Sequence, residues 1–263
     1  MPGLRSADGS RGPSLPAKER EEPRLLGPPE VLRAGPMQLI GLLPYSSNRT
    51  FLVRLGHDDG GAETLAVYKP ARGERPLHDF PDETLYKREV AAYELSQALG
   101  WDLVPPTVMR IEAPLGPGSL QLFIDHDPSQ HYFTLLEDNE AFFKRLATFD
   151  ILCNNADRKS GHCLLDAQGR IWAVDHGLTF HAAPKLRTVI WDFAGRRVPA
   201  RDRQAVARLA GKFDDPGSLL MQALAGLLDQ SEIDALRLRV QALSQPCYFP
   251  SPRSDWSFPW PLV

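Results

Sequence analysis

The chain has 263 residues, of which 43% are hydrophobic, so it is long enough to bury a substantial core. Its formal net charge of -3 gives no sign of a protein steered to nucleic acid by bulk positive charge. No apolar run reaches transmembrane length, the first residues lack the apolar region of a signal peptide, and the three cysteines form no paired framework. These features predict a cytoplasmic protein that binds no nucleic acid and has no transmembrane segment.

The two ends of the chain differ in composition from the middle. Residues 1–35 are rich in Pro, Gly, Arg and Glu and contain few aromatic or β-branched residues. Such a segment cannot bury enough apolar surface to offset the entropy of ordering it, which predicts a disordered N-terminal tail. Residues 246–263 are rich in proline and aromatic residues and are predicted to form a C-terminal tail.

Three apolar runs follow the N-terminal tail. Met37–Leu43, Thr50–Leu55 and Thr64–Pro70 are typical of strands, and the segments between them are rich in turn-forming residues. They predict a three-stranded meander. The third run carries Lys69 at its penultimate position, directly before Pro70. Taken alone, such a lysine can be a charge that deters pairing at the edge of a sheet.

Two helices and a further strand are predicted in the middle of the chain. The first helix runs from about Glu83 to Leu99, and Gly100 suits its C-cap. Ser119–Asp125 has the apolar composition of a buried strand. Glu140–Leu152 is predicted to be a helix with its apolar residues on one broad face, which favours packing against a core.

The most informative stretch is Phe149–His181. It contains two short apolar runs, Cys163–Leu165 and Ile171–Val174, around the turn Asp166–Gly169. The pattern predicts a β-hairpin. A hairpin of this kind brings the residues that precede its first strand close to those that follow its second.

Three ionisable residues flank this hairpin. Asp157 precedes His162 by five positions, and Asp175 follows His162 by thirteen. The same separations lie between the catalytic Asp, the metal-binding Asn and the Asp of the Asp-Phe-Gly turn in protein-kinase-like sequences. In phosphoryl transfer, one carboxylate orients the attacking hydroxyl, while another carboxylate and a neutral ligand hold the metal. The alternative is a surface hairpin with solvated charges, and the other segments decide between the two.

Several segments resemble the type II phosphatidylinositol 4-kinases and their bacterial relatives, within the phosphatidylinositol 3-/4-kinase superfamily. They are VYKP at 67–70, LVPPTV at 103–108, LQLF at 120–123, NNADRKSGHCLL at 154–165 and WAVDHGLTF at 172–180. The resemblance covers about Met37 to Gly195. It implies an α+β, two-lobed protein-kinase-like (lipid kinase-like) fold, with a β-rich N-lobe at 36–124 and a mainly helical C-lobe at 125–245.

The resemblance also implies that ATP binds in the cleft between the lobes. Ser46, Ser47 and Asn48 match the Ser-rich hairpin that covers the nucleotide phosphates in that family. Phe123 and Ile124 match the hinge, where backbone groups meet the edge of the adenine ring.

A lysine and a glutamate complete the nucleotide site that the resemblance implies. Lys69 would contact the phosphates of ATP and would be held by a glutamate on the following helix. Glu89 follows Lys69 by twenty residues, which is close to the separation found in kinases. Two other glutamates are alternatives: Glu83 and Glu94.

The same resemblance assigns roles near the hairpin. Asp157 would orient or deprotonate the acceptor hydroxyl, Lys159 would contact the transferred phosphate, and Arg158 belongs to the same catalytic run and would organise the loop. His162 and Asp175 would hold Mg²⁺ or Mn²⁺. The family carries Asn at the position of His162, and an imidazole suits softer divalent ions better than magnesium.

The resulting hypothesis is an ATP-dependent kinase that acts on a hydroxyl acceptor, either a lipid or a protein. The basic cluster at Lys185, Arg187 and 196–197 would suit an acidic or phosphorylated substrate. One alternative is a nucleotide-binding pseudokinase acting as a sensor or scaffold, which the histidine at His162 favours. Another is an atypical serine/threonine protein kinase related to bacterial persistence kinases.

A zinc site is a further interpretation of the hairpin region. The candidate ligands are Cys153, His162, Cys163, His176 and His181. Their spacings fit no usual structural zinc pattern, and both cysteines lie in apolar runs. The sequence therefore favours buried thiols that behave as small apolar side chains.

Overall fold

The computed structural model describes residues 30–44, 48–56, 63–215 and 217–262, and it joins an antiparallel sheet to a largely helical second part. The predicted α+β class is confirmed. The strands are β1 Met37–Leu42, β2 Phe51–Leu55, β3 Thr64–Pro70, β4 Thr107–Arg110, β5 Gly118–Leu122, β6 Cys163–Leu165 and β7 Ile171–Ala173. The α-helices are α1 Glu30–Ala34, α2 Leu85–Leu99, α3 Tyr132–Leu135, α4 Glu140–Cys153, α5 Ala200–Phe213, α6 Leu219–Leu227 and α7 Gln230–Ser244.

Five strands form one antiparallel sheet in the order β1-β2-β3-β5-β4. Successive residues of a strand point to opposite faces. Ala66 and Tyr68 of β3 are fully buried in the core of the sheet, together with Val53 and Leu120. Lys69 therefore lies on the opposite face, where it meets α2 and the turn after β7.

Helix α2 lies between strands β4 and β5 on one side and helices α5 and α6 on the other. The Glu74 carboxylate caps its N-terminus by accepting hydrogen bonds from the backbone N–H groups of Leu85 (3.1 Å) and Tyr86 (2.8 Å). An acid is favoured there because N–H groups of the first turn lack partners within the helix. Gly100 ends the helix with φ of 65°, as predicted. The helix begins two residues after Glu83, whose own φ is 56°.

Helix α4 leads into the loop before β6, and the predicted hairpin of β6 and β7 is confirmed. The helix ends at Cys153 and is capped by Asn154, whose φ of 51° lies in the left-handed region. The Asn154 amide donates to the carbonyl oxygens of His181 and Ala183, at 2.8 Å each. Strands β6 and β7 pair with Cys163 opposite Ala173. The turn at the end of α4 thus brings the loop before β6 beside the residues that follow β7.

Helices α5, α6 and α7 contribute to the second core together with α2 and α4, as the helical prediction for this region expected. They bury Val206, Leu224 and Leu236 completely, against α2 and α4. Helix α7 begins with a capping box in which the Asp229 and Glu232 side chains each accept the other residue's backbone N–H. Among the described residues, no helix is both long and apolar enough to cross a lipid bilayer.

The start of the folded part requires a correction. Residues 30–34, which the composition assigned to the disordered tail, form α1. Val31 and Leu32 pack into the core of the sheet, and the carbonyl oxygen of Leu32 accepts a hydrogen bond from Arg110 at 3.2 Å. Two adjacent apolar residues are enough to dock this short helix, and a composition averaged over the whole segment hides them. The rest of the predicted tail, residues 1–29, lies outside the described residues.

The C-terminal segment, residues 246–262, runs antiparallel to residues 188–198. Backbone hydrogen bonds join them, from Val198 N–H to the Cys247 carbonyl (3.0 Å), Gly195 N–H to Phe249 (3.0 Å) and Thr188 N–H to Ser257 (3.1 Å). At its end, the Leu262 carbonyl accepts a hydrogen bond from Ser160 N–H at 2.8 Å. The C-terminal segment therefore packs along the helical part and reaches the loop before β6.

Candidate active site

Lys69 lies between two carboxylates, those of Glu89 and Asp175. Its Nζ is in direct contact with Glu89 Oε1 and lies 2.9 Å from Asp175 Oδ1. Strand β3 supplies the lysine, α2 supplies the glutamate and the turn after β7 supplies the aspartate, so the contact joins the sheet to the helical part. Burial alone would lower the pKa of Lys69, but the two carboxylates raise this pKa above its ordinary value. Lys69 is therefore a cation at neutral pH.

Glu89 is held by partners on two elements. Only 2% of its surface is exposed, and its Oε2 accepts a hydrogen bond from the backbone N–H of His176 at 2.9 Å. Burial raises the pKa of Glu89, and the charge of Lys69 opposes this shift. A buried carboxylate needs partners of this kind. Of the three glutamates considered from the sequence, Glu89 is the one in contact with Lys69, rather than Glu83 or Glu94.

Asp175 and His162 form a second pair. His162 Nε2 lies 3.2 Å from Asp175 Oδ2, so Lys69 and His162 engage the two carboxylate oxygens of Asp175. Asp175 is about half exposed, and its contacts with Lys69 and His162 hold the pKa of its carboxyl group well below the ordinary value. Burial lowers the pKa of His162 to about 4, so its ring is neutral at neutral pH. An ionised carboxylate beside a neutral imidazole is a donor pair that fits a divalent cation.

The backbone at Asp175 has an uncommon conformation. Its φ of 60° lies in the left-handed region, which residues other than Gly, Asn and Asp rarely adopt. This turn follows β7 directly and points the next N–H group, that of His176, at Glu89. The backbone of this turn thus positions the Asp175 carboxylate and donates a hydrogen bond to the Glu89 carboxylate.

Asp157 and Lys159 lie on the loop between α4 and β6. The Asp157 backbone N–H donates to Asn155 Oδ1 at 2.9 Å, and Lys159 Nζ lies 3.6 Å from Asp157 Oδ2. Burial raises the pKa of Asp157 to about 6, against the opposing charge of Lys159. A carboxyl group with this pKa can accept a proton near neutral pH and release it again.

Arg158, which the sequence placed in the catalytic run as the residue that would organise the loop, is enclosed in the protein. It is fully buried, its Nη2 lies 3.0 Å from Asp150 Oδ1, and its Nη1 donates to the Val174 carbonyl at 2.8 Å. Its Nη2 also contacts His176 Nε2 at 2.7 Å. The Asn155 amide donates to Asp150 at 3.0 Å. Arg158 is therefore a positioning residue that ties the loop between α4 and β6 to α4 and to the end of β7.

Two members of this buried network were missed as partners of Arg158. Asp150 is an acid inside the otherwise apolar run Phe149–Cys153. Because a buried carboxylate needs a partner, this position in the sequence could have indicated a buried ion pair. His176 is fully buried, and burial followed by the charge of Arg158 lowers its pKa well below the ordinary value. No periodicity in the sequence marks this histidine as buried.

The hairpin predicted to cover the phosphates is described in part. Ser46 and Ser47 lie outside the described residues. Asn48 is described, and its side-chain oxygen accepts a hydrogen bond from the backbone N–H of Arg75 at 2.9 Å. This contact ties the β1–β2 turn to the loop that follows β3.

The predicted hinge residues follow β5. Phe123 N–H donates to the Leu65 carbonyl at 3.1 Å, and the Ile124 carbonyl lies 2.9 Å from His126 Nδ1. Strand alternation and register place the apolar side chains of Leu52, Leu65 and Val67 on the sheet face of Lys69. Polar side chains share this face as well, among them those of Arg54, Ser119 and Gln121. The apolar part of this face therefore lies on β2 and β3, and its β5 part is polar.

The cysteines of the hairpin region are enclosed in the protein. Cys153 in α4 and Cys163 in β6 are fully buried, and burial raises the pKa of Cys163 to about 12. Within the described part of the chain, no three or more His, Cys, Asp or Glu side chains gather as a possible metal site.

Comparison with known proteins identifies a relative along nearly the whole chain. The chain is 39% identical over 267 residues to the Mycobacterium tuberculosis protein Rv2133c, a match that covers 88% of this chain and 94% of that protein. The chain belongs to the Rv2133c family. No family model matches the chain.

Among solved structures, this member of the Rv2133c family is similar to the proinflammatory kinase CtkA of Helicobacter pylori. The TM-score is 0.51 at 12% sequence identity, and the match covers 81% of this chain and 93% of that chain. At this identity the likeness concerns the fold. The two-lobed kinase-like fold, with a β-rich first part and a mainly helical second part, is thereby confirmed.

Proposed function

We propose that the protein is an ATP-dependent phosphotransferase resembling the phosphatidylinositol 3-/4-kinases, which transfers the γ-phosphate of ATP to a hydroxyl acceptor. The observation that carries this proposal is the position of Lys69 between Glu89 and Asp175, at the junction of the sheet and the helical part. Kinase chemistry requires a lysine held by a glutamate beside a metal-binding aspartate. The kinase-like fold supports the same class of reaction.

ATP would lie in the cleft with its phosphates near Lys69. The apolar side chains of Leu52, Leu65 and Val67, on the sheet face of Lys69, would pack against a flat adenine ring, and backbone groups at Phe123 and Ile124 would lie at the edge of the ring. The cationic Lys69 would bind phosphate oxygens in place of part of its contact with Asp175. Glu89 would keep the lysine in position, because its other oxygen is fixed by the backbone of the turn after β7.

The metal that kinase chemistry needs would be Mg²⁺ or Mn²⁺, held by Asp175 and His162. When bound, the ion neutralises charge on the phosphate oxygens. Protein carboxylates commonly supply only one or two ligands to such an ion, and substrate phosphates and water complete the shell. The pair formed by Asp175 and the neutral His162 ring fits this requirement.

Asp157 is proposed to orient the acceptor hydroxyl and take up its proton. Its raised pKa of about 6 leaves it ionised at neutral pH and makes it a better base than an ordinary aspartate. Lys159, 3.6 Å from the Asp157 carboxylate, is placed to contact a phosphate that approaches the same acceptor. Arg158 would act through the loop and not on the substrate, because it is buried.

A nucleotide-binding pseudokinase is the second candidate, and one observation favours it. His162 replaces the Asn of the resemblance, and together with Lys69 it engages both oxygens of Asp175. A metal ion would have to share that carboxylate with them or displace one of them. Phosphorylation of serine or threonine on a protein would instead indicate an atypical protein kinase.

Calorimetric titration with ATP, in the presence of Mg²⁺ and separately of Mn²⁺, tests the nucleotide site. We expect the wild-type protein to bind ATP and Lys69→Met to bind at least about tenfold more weakly, because a charged hydrogen bond to phosphate is lost. Lys144→Met is the matched control, since Lys144 forms an ion pair with Glu140 on α4. If the wild-type protein failed to bind ATP both in the presence of Mg²⁺ and in the presence of Mn²⁺, this result would contradict the proposal.

A further inference from the structure

The C-terminal segment carries an unusual set of exposed side chains. Trp256 is 78% exposed and Trp260 is 88% exposed. Tyr248, Phe258 and Leu262 are exposed as well. We call these five side chains the tail surface. Burying a large apolar side chain is favourable by about 1.5–3 kcal/mol, so the exposure of five of them along one segment indicates that this segment meets a partner.

The tail surface is held in place by the backbone of its own segment. The Ser257 carbonyl accepts a hydrogen bond from Thr188 N–H at 3.1 Å, and the Leu262 carbonyl accepts one from Ser160 N–H at 2.8 Å. Ser160 is three residues after Asp157 on the same loop. The end of the segment, with Trp260 and Leu262, therefore lies beside the loop that carries the proposed base, and Tyr248 lies farther along, where the segment pairs with Arg197.

Arginines accompany the aromatic side chains. The guanidinium of Arg187 lies 5.9 Å from the centre of the Trp256 ring, and that of Arg197 lies 5.7 Å from the centre of the Tyr248 ring. Both arginines are exposed, and so is Arg253 within the segment itself. Trp and Tyr favour the boundary between lipid and water, and basic residues favour anionic lipid head groups.

The shape of the segment favours a membrane over a protein partner. Residues that dominate protein interfaces sit in closely packed pockets on a complementary surface. Trp256 and Trp260 instead project singly from an irregular, proline-containing segment. Side chains that project in this way can enter the fluid interface of a bilayer without a matching pocket.

We propose that the tail surface docks on an anionic membrane and so brings acceptors at the bilayer surface to the loop that carries Asp157. The docking itself follows from the exposed aromatic side chains and the arginines. Its consequence for the acceptor rests on the proposed phosphotransferase function.

Flotation of the full chain with vesicles tests the docking. We expect binding to vesicles of phosphatidylcholine and phosphatidylglycerol, much weaker binding to phosphatidylcholine alone, and a decrease as salt is raised. Trp256→Ala and Trp260→Ala should each weaken binding by about tenfold. Arg187→Gln and Arg253→Gln should each weaken it by about fivefold at low salt.

Exposed leucines away from the tail surface provide matched controls. Leu219 on α6 is 83% exposed and Leu238 on α7 is 65% exposed, and alanine at either position should leave vesicle binding unchanged. Failure of the wild-type protein to bind anionic vesicles would overturn the proposal, as would equal losses in the tail and control variants. Sedimentation identifies another occupant: a dimer that Trp256→Ala/Trp260→Ala converts to monomer, with vesicle binding intact, would assign the surface to a second copy and overturn the proposal.

The two proposals can fail separately. Asp157→Ala should bind vesicles as the wild-type protein does, because the docking does not use its carboxylate. Vesicle binding by a wild-type protein that transfers no phosphate would support the docking and contradict the proposed function.

Discussion

The Nζ atom of Lys69 lies 2.9 Å from Oδ1 of Asp175, although 106 residues separate them in the chain. The same Nζ contacts Glu89, whose second oxygen is fixed by the backbone N–H of His176. A strand, a helix and the turn after a hairpin thus meet at one ammonium group. Kinase-type sites need these three parts assembled together.

Glu89→Gln tests whether the charge of Glu89 positions Lys69. The amide keeps the shape of the side chain but removes the negative charge, so Lys69 should be held less firmly. We expect kcat/KM for ATP to fall by about 10- to 100-fold, the usual effect of losing a group that orients a ligand. Glu94→Gln, on the same helix, is the control. If steady-state kinetics gave the same decrease in kcat/KM for Glu89→Gln and Glu94→Gln, the proposal that the charge of Glu89 positions Lys69 would be contradicted.

The pH dependence of transfer tests Asp157 as the base. Its pKa is raised to about 6 by burial, so the carboxylate form is present above that pH and is lost as the pH falls through it. We expect kcat/KM to fall about tenfold per pH unit below about pH 6. Circular dichroism over the same range checks that the fold persists. An inflection near pH 4, the ordinary range of an aspartate, would contradict this role.

His162→Asn tests the metal preference. A neutral imidazole suits softer ions, whereas an amide oxygen suits Mg²⁺. We expect Mn²⁺ to support more transfer than Mg²⁺ in the wild-type protein, and the substitution to shift the ratio toward Mg²⁺. The readout is the ratio of initial rates with the two ions. An unchanged ratio would show that His162 does not contact the metal.

Asp150→Asn tests the buried network around Arg158. The substitution leaves the fully buried guanidinium without its charged partner, so the free energy of unfolding should fall by about 3–5 kcal/mol. Denaturant titration measures this change. Arg196→Ala breaks the exposed pair with Glu140 and should change the free energy of unfolding by no more than about 1 kcal/mol. Similar values for the two variants would contradict the assigned role of Arg158.

The sequence predicts much of this fold because its signals are local. The third strand ending at Lys69 and the helix ending at Gly100 follow from apolar patterning and a glycine cap. The separation of Asp157, His162 and Asp175 indicates a kinase-like site, since a hairpin brings its two ends together.

Other features of the structure depend on contacts between segments that are distant in the chain, and local sequence patterns do not predict such contacts. The sequence suggests that Arg158 organises its loop, but it does not show that the partners of Arg158 are the buried Asp150 and His176. Leu32 gains its place from the face of a sheet formed by later strands. The path of the C-terminal segment to Ser160 is set by backbone hydrogen bonds, which carry no signature in side-chain composition.

The most direct test of the central claim is transfer of the γ-phosphate. Purified protein would be incubated with γ-labelled ATP and Mg²⁺ or Mn²⁺, with lipid vesicles and with protein acceptors, and label would be followed into lipid, protein and free phosphate. Asp157→Asn would be assayed alongside, since it keeps the side-chain shape and removes the base. The account predicts transfer to an acceptor by the wild-type protein and its loss in Asp157→Asn. Equal transfer by both proteins, or ATP binding without transfer to any acceptor, would contradict it.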